Sequence, residues 1–289
     1  MKLARDRSGF YAIAGKGYIS STTVLDRLEK HGLHPWIAAQ AAGYVREGII
    51  DHLLAGDMTL DQLREMDLDA FMIQAKKEHE AKKREAMAVG TAVHIAIEGY
   101  YKNGQDRTVL DKCSTIDPRI TAPLLAFLDW EKAFKIVPLN VEMTVFSHTH
   151  EYAGTLDLHC RLTSPGTDYE QIGVIDHKAA ASIYDTNVMQ IASYLFALEE
   201  MESDLNPMDA PCIDGAGILR LDKETGIPEF VWRDKEDLIM WFDAFRALLE
   251  FCKWDRAIKD FEMAKRAALK RAARKAPSFN PVIPKSKVV

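Results

Sequence analysis

Tyr152-Ala153-Gly154-Thr155-Leu156-Asp157 and Val174-Ile175-Asp176-His177-Lys178 are two apolar, β-rich stretches, each bringing an acid close to its end. Alternation along a strand sends residues i and i+2 to one side. Asp176 and Lys178 therefore share a face with Val174, and Ile175 and His177 take the other. If the two strands pair through the loop between them, Asp157 approaches Asp176. Two carboxylates at close range repel unless a cation lies between them, and such an oxygen-rich pair suits Mg²⁺ or Mn²⁺. A lysine beside that cation can orient or help deprotonate a water, and its charge can stabilise a phosphorane-like transition state. Asp-x-Lys is also a common tripeptide on exposed strands. The apolar flanks and the partner acid on the preceding strand set this one apart.

Working outward, residues 138–147, 153–162 and 171–178 read as strands, with the Ser164-Pro165-Gly166 turn between the last two. A helix is expected at 184–201. Strands follow at 214–222 and 227–233, joined through Glu224-Thr225-Gly226, and then a long helix over 235–274 that ends before Pro277. The first half carries helix-period apolar residues near 22–31, 35–48, 59–67, 68–103 and 118–134, and Thr59 with Gln62 fits a capping box. No internal repeat or linker divides the chain. The expectation is an α/β fold with a mixed central sheet flanked by helices. Residues 1–85 form a helical N-terminal elaboration, 86–275 the core and 276–289 an irregular basic tail.

The chain has 289 residues, 47% hydrophobic and 28% charged, which is ordinary for a globular protein with a full core. No apolar run is long enough to span a bilayer, and MKLARDRSGFYAIAG lacks the long apolar stretch of a secretory signal, so a cytoplasmic protein is expected. Cys113, Cys160, Cys212 and Cys252 form no CxxC pair and read as buried free thiols. The net charge of −6 argues against a protein that coats nucleic acid everywhere, but the charge is unevenly spread. Between 262 and 289, Lys265, Arg266, Lys270, Arg271, Arg274, Lys275, Lys285 and Lys287 face one acid, Glu262. Lys76, Lys77, Lys82, Lys83 and Arg84 form a second basic cluster, diluted by Glu78, Glu80 and Glu85.

Two further patterns bear on chemistry. In the stretch 90–98, Gly90, His94 and Glu98 fall on one helical stripe. His94 can offer an imidazole nitrogen to a metal, and Glu98 can bind that metal or hold His94; a solvent-facing His–Glu pair is the plainer alternative. Gln190 and Tyr194 lie one turn apart on the helix after Lys178, clear of the apolar stripe Val188, Ile191, Leu195 and Leu198. They can meet a DNA phosphate or base, or be an unremarkable exposed pair. Other features weigh less. His148 and His150 lack the partners of a tetrahedral zinc set, Trp232, Trp241 and Trp254 read as core, and Gly15-Lys16-Gly17 does not make a phosphate loop.

Taken together and in order, these motifs resemble the RecB-like branch of the PD-(D/E)xK nucleases. The resemblance rests on Gly90 with His94, Glu142 in VEMTV, Gly154 with Asp157, Asp176 with Lys178, and Gln190 with Tyr194, spanning about residues 88–200. The stretch Ile19–Leu25 looks like the start of many phage-encoded members. The resemblance implies a restriction-endonuclease-like core and a Mg²⁺- or Mn²⁺-dependent deoxyribonuclease. It points to an exonuclease of phage-type recombination, replication or repair, with an endonuclease or a non-catalytic DNA-binding module as alternatives. It implies His94, Asp157 and Asp176 as metal ligands, the His177 carbonyl as a fourth, and Lys178 as the catalytic lysine. Gln190 and Tyr194 would contact DNA, with Glu98 and Glu142 in support. Linear DNA or single-stranded ends are the implied partner, a single-strand annealing or binding protein a further one, and an oligomer is allowed. The cysteines do not fit the four-cysteine cluster of the CRISPR-associated relatives.

Overall fold

A computed structural model describes residues 3–28, 33–113, 117–205 and 212–275. The expected tail 276–289, with Lys285 and Lys287, lies outside the described residues. The chain opens on a hairpin, β1 (Phe10–Ile13) and β2 (Lys16–Ser20), followed by a short helix α1 (Ser21–Leu25). Then come α2 (Leu33–Val45), a π-helical turn Arg46–Ile50, α3 (Asp51–Ala55), α4 (Leu60–Glu65), the long α5 (Leu68–Lys102), α6 (Arg107–Cys113) and α7 (Pro118–Ala133). Strands β3 (Lys135–Ser147), β4 (Tyr152–Thr163) and β5 (Glu170–Lys178) lead to α8 (Asp185–Leu205). Strands β6 (Gly215–Leu221) and β7 (Pro228–Asp234) and helix α9 (Lys235–Lys275) complete the described chain.

The fold is α/β, with a mixed seven-stranded sheet flanked by helices. One face packs against α8 and α9 through Leu156, Val174, Ile191, Leu195, Ile218 and Phe245. The other packs against α5 and α7 through Ile97, Phe127, Trp130, Leu158, Ile175 and Leu219. Local signals set the helix ends. The Asp67 side chain caps α5 by accepting from the Ala70 amide, Asp117 caps α7 ahead of Pro118, and Thr59 with Gln62 forms the expected capping box on α4.

The N-terminal segment departs from a helical elaboration. Phe10 to Ser20 is a hairpin turning on Ala14 and Gly15, both at positive φ, and β2 runs parallel to the start of β4. Two residues with positive φ match the twist of flanking strands, but Ala-Gly is a weaker signature than Asn-Gly, and the strands are short. The expected helix over 22–31 shrinks to α1, whose Val24 and Leu25 enter the core; residues 29–32 lie outside the described part.

Strand β4 carries the decisive register. Strand β3 pairs along it from Tyr152 to Thr163. The other edge is divided: β2 pairs with Tyr152 and Ala153, and β5 pairs only with Leu158 to Thr163. Residues 154–157 have no ladder partner on that side, and the end of β5, Asp176 to Lys178, pairs with β6 alone. The Tyr194 ring of α8 packs over Gly154, where a Cβ would overlap it. Gly154→Ala therefore lowers stability by about 1–3 kcal/mol in urea unfolding, and less than half of that in a Tyr194→Ala background. Equal losses in both backgrounds would refute the contact.

Candidate metal centre at the split of β4 and β5

His94, Glu142 and Asp157 meet at this split, each offering a ligand atom, with those atoms all within 4.8 Å of one another. Three elements supply them. His94 sits on α5, on the flank of the helix's buried face, and its Nδ1 lies 3.5 Å from Asp157 Oδ2. Asp157 occupies the unpaired stretch of β4, where the His177 backbone amide donates to its Oδ2 at 2.7 Å. That bond replaces the missing ladder contact and fixes the carboxylate across the gap between the strands. Glu142 lies on β3 between Val141 and Met143, which pair with Leu158 and Leu156.

The backbone at Glu142 is unusual, with φ +51 in the middle of a strand. A non-glycine residue in the left-handed region costs about 1–3 kcal/mol and persists only where its surroundings hold it. Val141 packs with the α5 and α7 core and Met143 with the α8 core, so the strand turns over at Glu142. Expected only as support, Glu142 here stands level with His94 and Asp157.

Asp176 and Lys178 share a side of β5, as alternation requires. Lys178 Nζ lies 2.7 Å from Asp176 Oδ2. The contact is a close, charge-assisted pair, and the ammonium holds the buried Asp176 Oδ2. Asp176 stands outside the group of three, although the charge of Asp157 acts on it. Burial pushes the Asp176 carboxyl above the ordinary range; Lys178 opposes this and Asp157 adds to it. Burial also opposes ionisation of Asp157, but His94, His177 and Lys178 outweigh it and hold that carboxyl low. Lys178 is partly buried, yet the two aspartates hold it more basic than a free lysine.

The His177 ring is buried on the α5 face beside Tyr101 and Phe127, with Nδ1 3.6 Å from Asp157 Oδ2 and Nε2 without a hydrogen bond. Glu98 lines the same cleft and accepts from Lys102 at 2.6 Å. Gln190 and Tyr194 are not exposed: they are 9% and 3% accessible, and the Gln190 amide donates to the Tyr194 hydroxyl at 2.7 Å. Facing away from solvent, they brace the sheet from α8 behind Gly154. Gly90 leaves no tight contact to explain it, for a Cβ there meets no atom within 4 Å.

The remaining candidates fall elsewhere. His148 and His150 lie in the β3–β4 turn, where His148 Nδ1 is 2.5 Å from the Tyr18 hydroxyl. Trp232 covers Gly173 and Gly215, Trp241 packs on the α8 core, and Trp254 is exposed rather than core. Cys160 and Cys252 are buried free thiols, but Cys212 is exposed; the Cys113 side chain lies outside the described residues. A wider hollow at the far end of β4, by Lys135 and Thr163, holds none of the clustered residues.

The donor set fits a hard divalent cation: two carboxylates and one imidazole converge, beside a further buried carboxylate, Asp176. No family model matches the sequence, and no curated protein matches it. Mn²⁺ at a hundredfold excess over its Kd should add about 2.7 kcal/mol of stability, read as a rise in Tm. Glu142→Gln and His94→Ala should each cut that rise by more than half. An undiminished rise in both variants would place the ion elsewhere.

Proposed function

We propose that the chain is a divalent-metal-dependent DNA nuclease with a restriction-endonuclease-like core, acting as an exonuclease. The observation that carries this reading is the gathering of His94, Glu142 and Asp157 within 4.8 Å, beside the Asp176–Lys178 pair. A Mg²⁺ or Mn²⁺ held by His94, Glu142 and Asp157, with Asp176 alongside, would supply a Lewis acid that polarises the scissile phosphate. The chain's own groups divide the rest. Lys178 brings a positive charge to the side of Asp176, where it can orient a water and offset charge gathering on phosphate oxygens. The His177 amide holds Asp157 in place. Tyr194 and Gln190 act from behind the sheet, as positioning residues without contact to the nucleic acid.

Support comes also from the order of the motifs, which follows the RecB-like PD-(D/E)xK pattern, and from the split strands, beside which His94, Glu142 and Asp157 gather. A lone Asp-x-Lys on an exposed strand would have no such neighbours.

End-labelled linear DNA should be degraded in Mg²⁺ or Mn²⁺ and left intact in EDTA, with Lys178→Ala slower by about 10²–10³-fold. Closed circular DNA should resist. Cutting of circles would favour the endonuclease reading, and salt-dependent binding without turnover in either metal would favour a non-catalytic module. Full activity in EDTA or in Lys178→Ala would overturn the mechanism.

A further inference from the structure

Helix α5 continues far beyond the metal centre. Its C-terminal third is buried against the sheet, with Val93, Ala96, Ile97 and Tyr100 inaccessible, while residues 76–88 are mostly exposed. At 3.6 residues per turn, Lys76 lies five whole turns before His94, and Lys83 lies three turns and about 20° before it. Both are therefore on the His94 side of the helix, about 27 Å and 16 Å from it along the axis. Met87, 62% exposed, and Gly90 occupy the same line between them and His94. At Gly90 even a Cβ would meet nothing within 4 Å, so this turn of the helix is free of bulk on that side.

Two of the three acids in this stretch are turned elsewhere. Glu78 and Glu85 project from the opposite side, and Glu85 is paired with Arg119 at 2.7 Å. Glu80 alone lies near the line, about 40° from it. Among the described residues neither Lys76 nor Lys83 makes an ion pair, and both are exposed. Two unpaired ammonium groups in line with a metal centre, along an open helix face, complement a polyanion that ends at the centre.

We propose that the Lys76–Lys83–Gly90 line of α5 is a track that holds the phosphates of a DNA duplex leading into the metal centre. The inference rests on the nuclease reading and names where its substrate lies. At 3.4 Å per base pair the track covers about five to eight base pairs beyond the reacting phosphate. Gly90 keeps the last turn before His94 clear, so the backbone of the DNA can pass.

The test uses the full chain and a fluorescein-labelled 25-base-pair duplex, with binding read by anisotropy in EDTA and cleavage read in Mn²⁺. Lys76→Ala/Lys83→Ala should weaken binding about tenfold at low salt and lower the slope of log K against log salt by about 1.8. It should also slow cleavage at sub-saturating DNA while leaving the saturated rate unchanged. Lys77→Ala/Lys82→Ala, with the same charge removed from other sides of α5, should change the slope by less than half as much. Equal losses in the two double variants, or no loss in the first, would overturn the track. A wild-type chain that neither binds nor cuts the duplex would instead defeat the nuclease reading itself. Gly90→Leu is a second check: it should raise KM with little change in Tm, and unaltered KM would count against the clear turn at Gly90.

Discussion

One edge of β4 serves two partners, β2 at Tyr152 and Ala153 and β5 from Leu158 onward, and the interval between them is where charged groups collect. A paired edge would fill its amides and carbonyls with ladder bonds and press the next strand against it at about 5 Å. Here β5 leaves β4 after Ile175, and the His177 amide turns to the Asp157 carboxylate instead of a carbonyl. That bond satisfies one amide at the split and fixes one acid at the mouth of the gap. The other members are placed relative to it: Glu142 from β3, His94 from α5, and Asp176 with Lys178 from the end of β5 that has left β4.

Holding so many ionisable groups together is costly without compensation. Burial raises the energy of the Asp157 and Asp176 carboxylates, and Asp176 bears that cost most plainly, its carboxyl being pushed above the ordinary range. Lys178 offsets part of it, and the local strain at Glu142 adds to it. An arrangement selected only for stability would shed such features, because apolar residues of similar size are often as stable as buried ion pairs. A cation among His94, Glu142 and Asp157 would offset the repulsion between the two carboxylates. The two cores supply the rigidity that this requires, with the α8 side bracing Gly154 through Tyr194 and the α5 side carrying His94.

Much of this is legible in the residues, and the exceptions have physical causes. The strands around Asp157 and Asp176 declare themselves through apolar runs bounded by turns, and α5 and α9 through long uninterrupted helical periods. The side of β5 on which Lys178 lies follows from alternation alone. The hairpin Phe10–Ser20 escapes because it is short and turns on Ala14-Gly15, and its stability comes from pairing with β4, a contact 133 residues away in sequence (Ile19 with Tyr152) that no local window contains. Glu142 is visible as an acid on a strand, but its rank depends on a backbone reversal that only the packing of Val141 and Met143 into opposite cores explains. Gln190 and Tyr194 mislead in the other direction: polar side chains off an apolar stripe suggest exposure, yet they satisfy each other in a buried pair.

The central claim is geometric, so a position for the ion tests it most directly. Anomalous diffraction from a crystal soaked in Mn²⁺ should give one dominant peak within coordination distance of His94, Glu142 and Asp157, about 2.0–2.4 Å from each ligand atom. Asp176 should lie close enough to reach the same ion or a water bound to it. Contradiction would be a peak elsewhere in the molecule, or none at this site at millimolar Mn²⁺ while Lys178 still holds Asp176 as it does here.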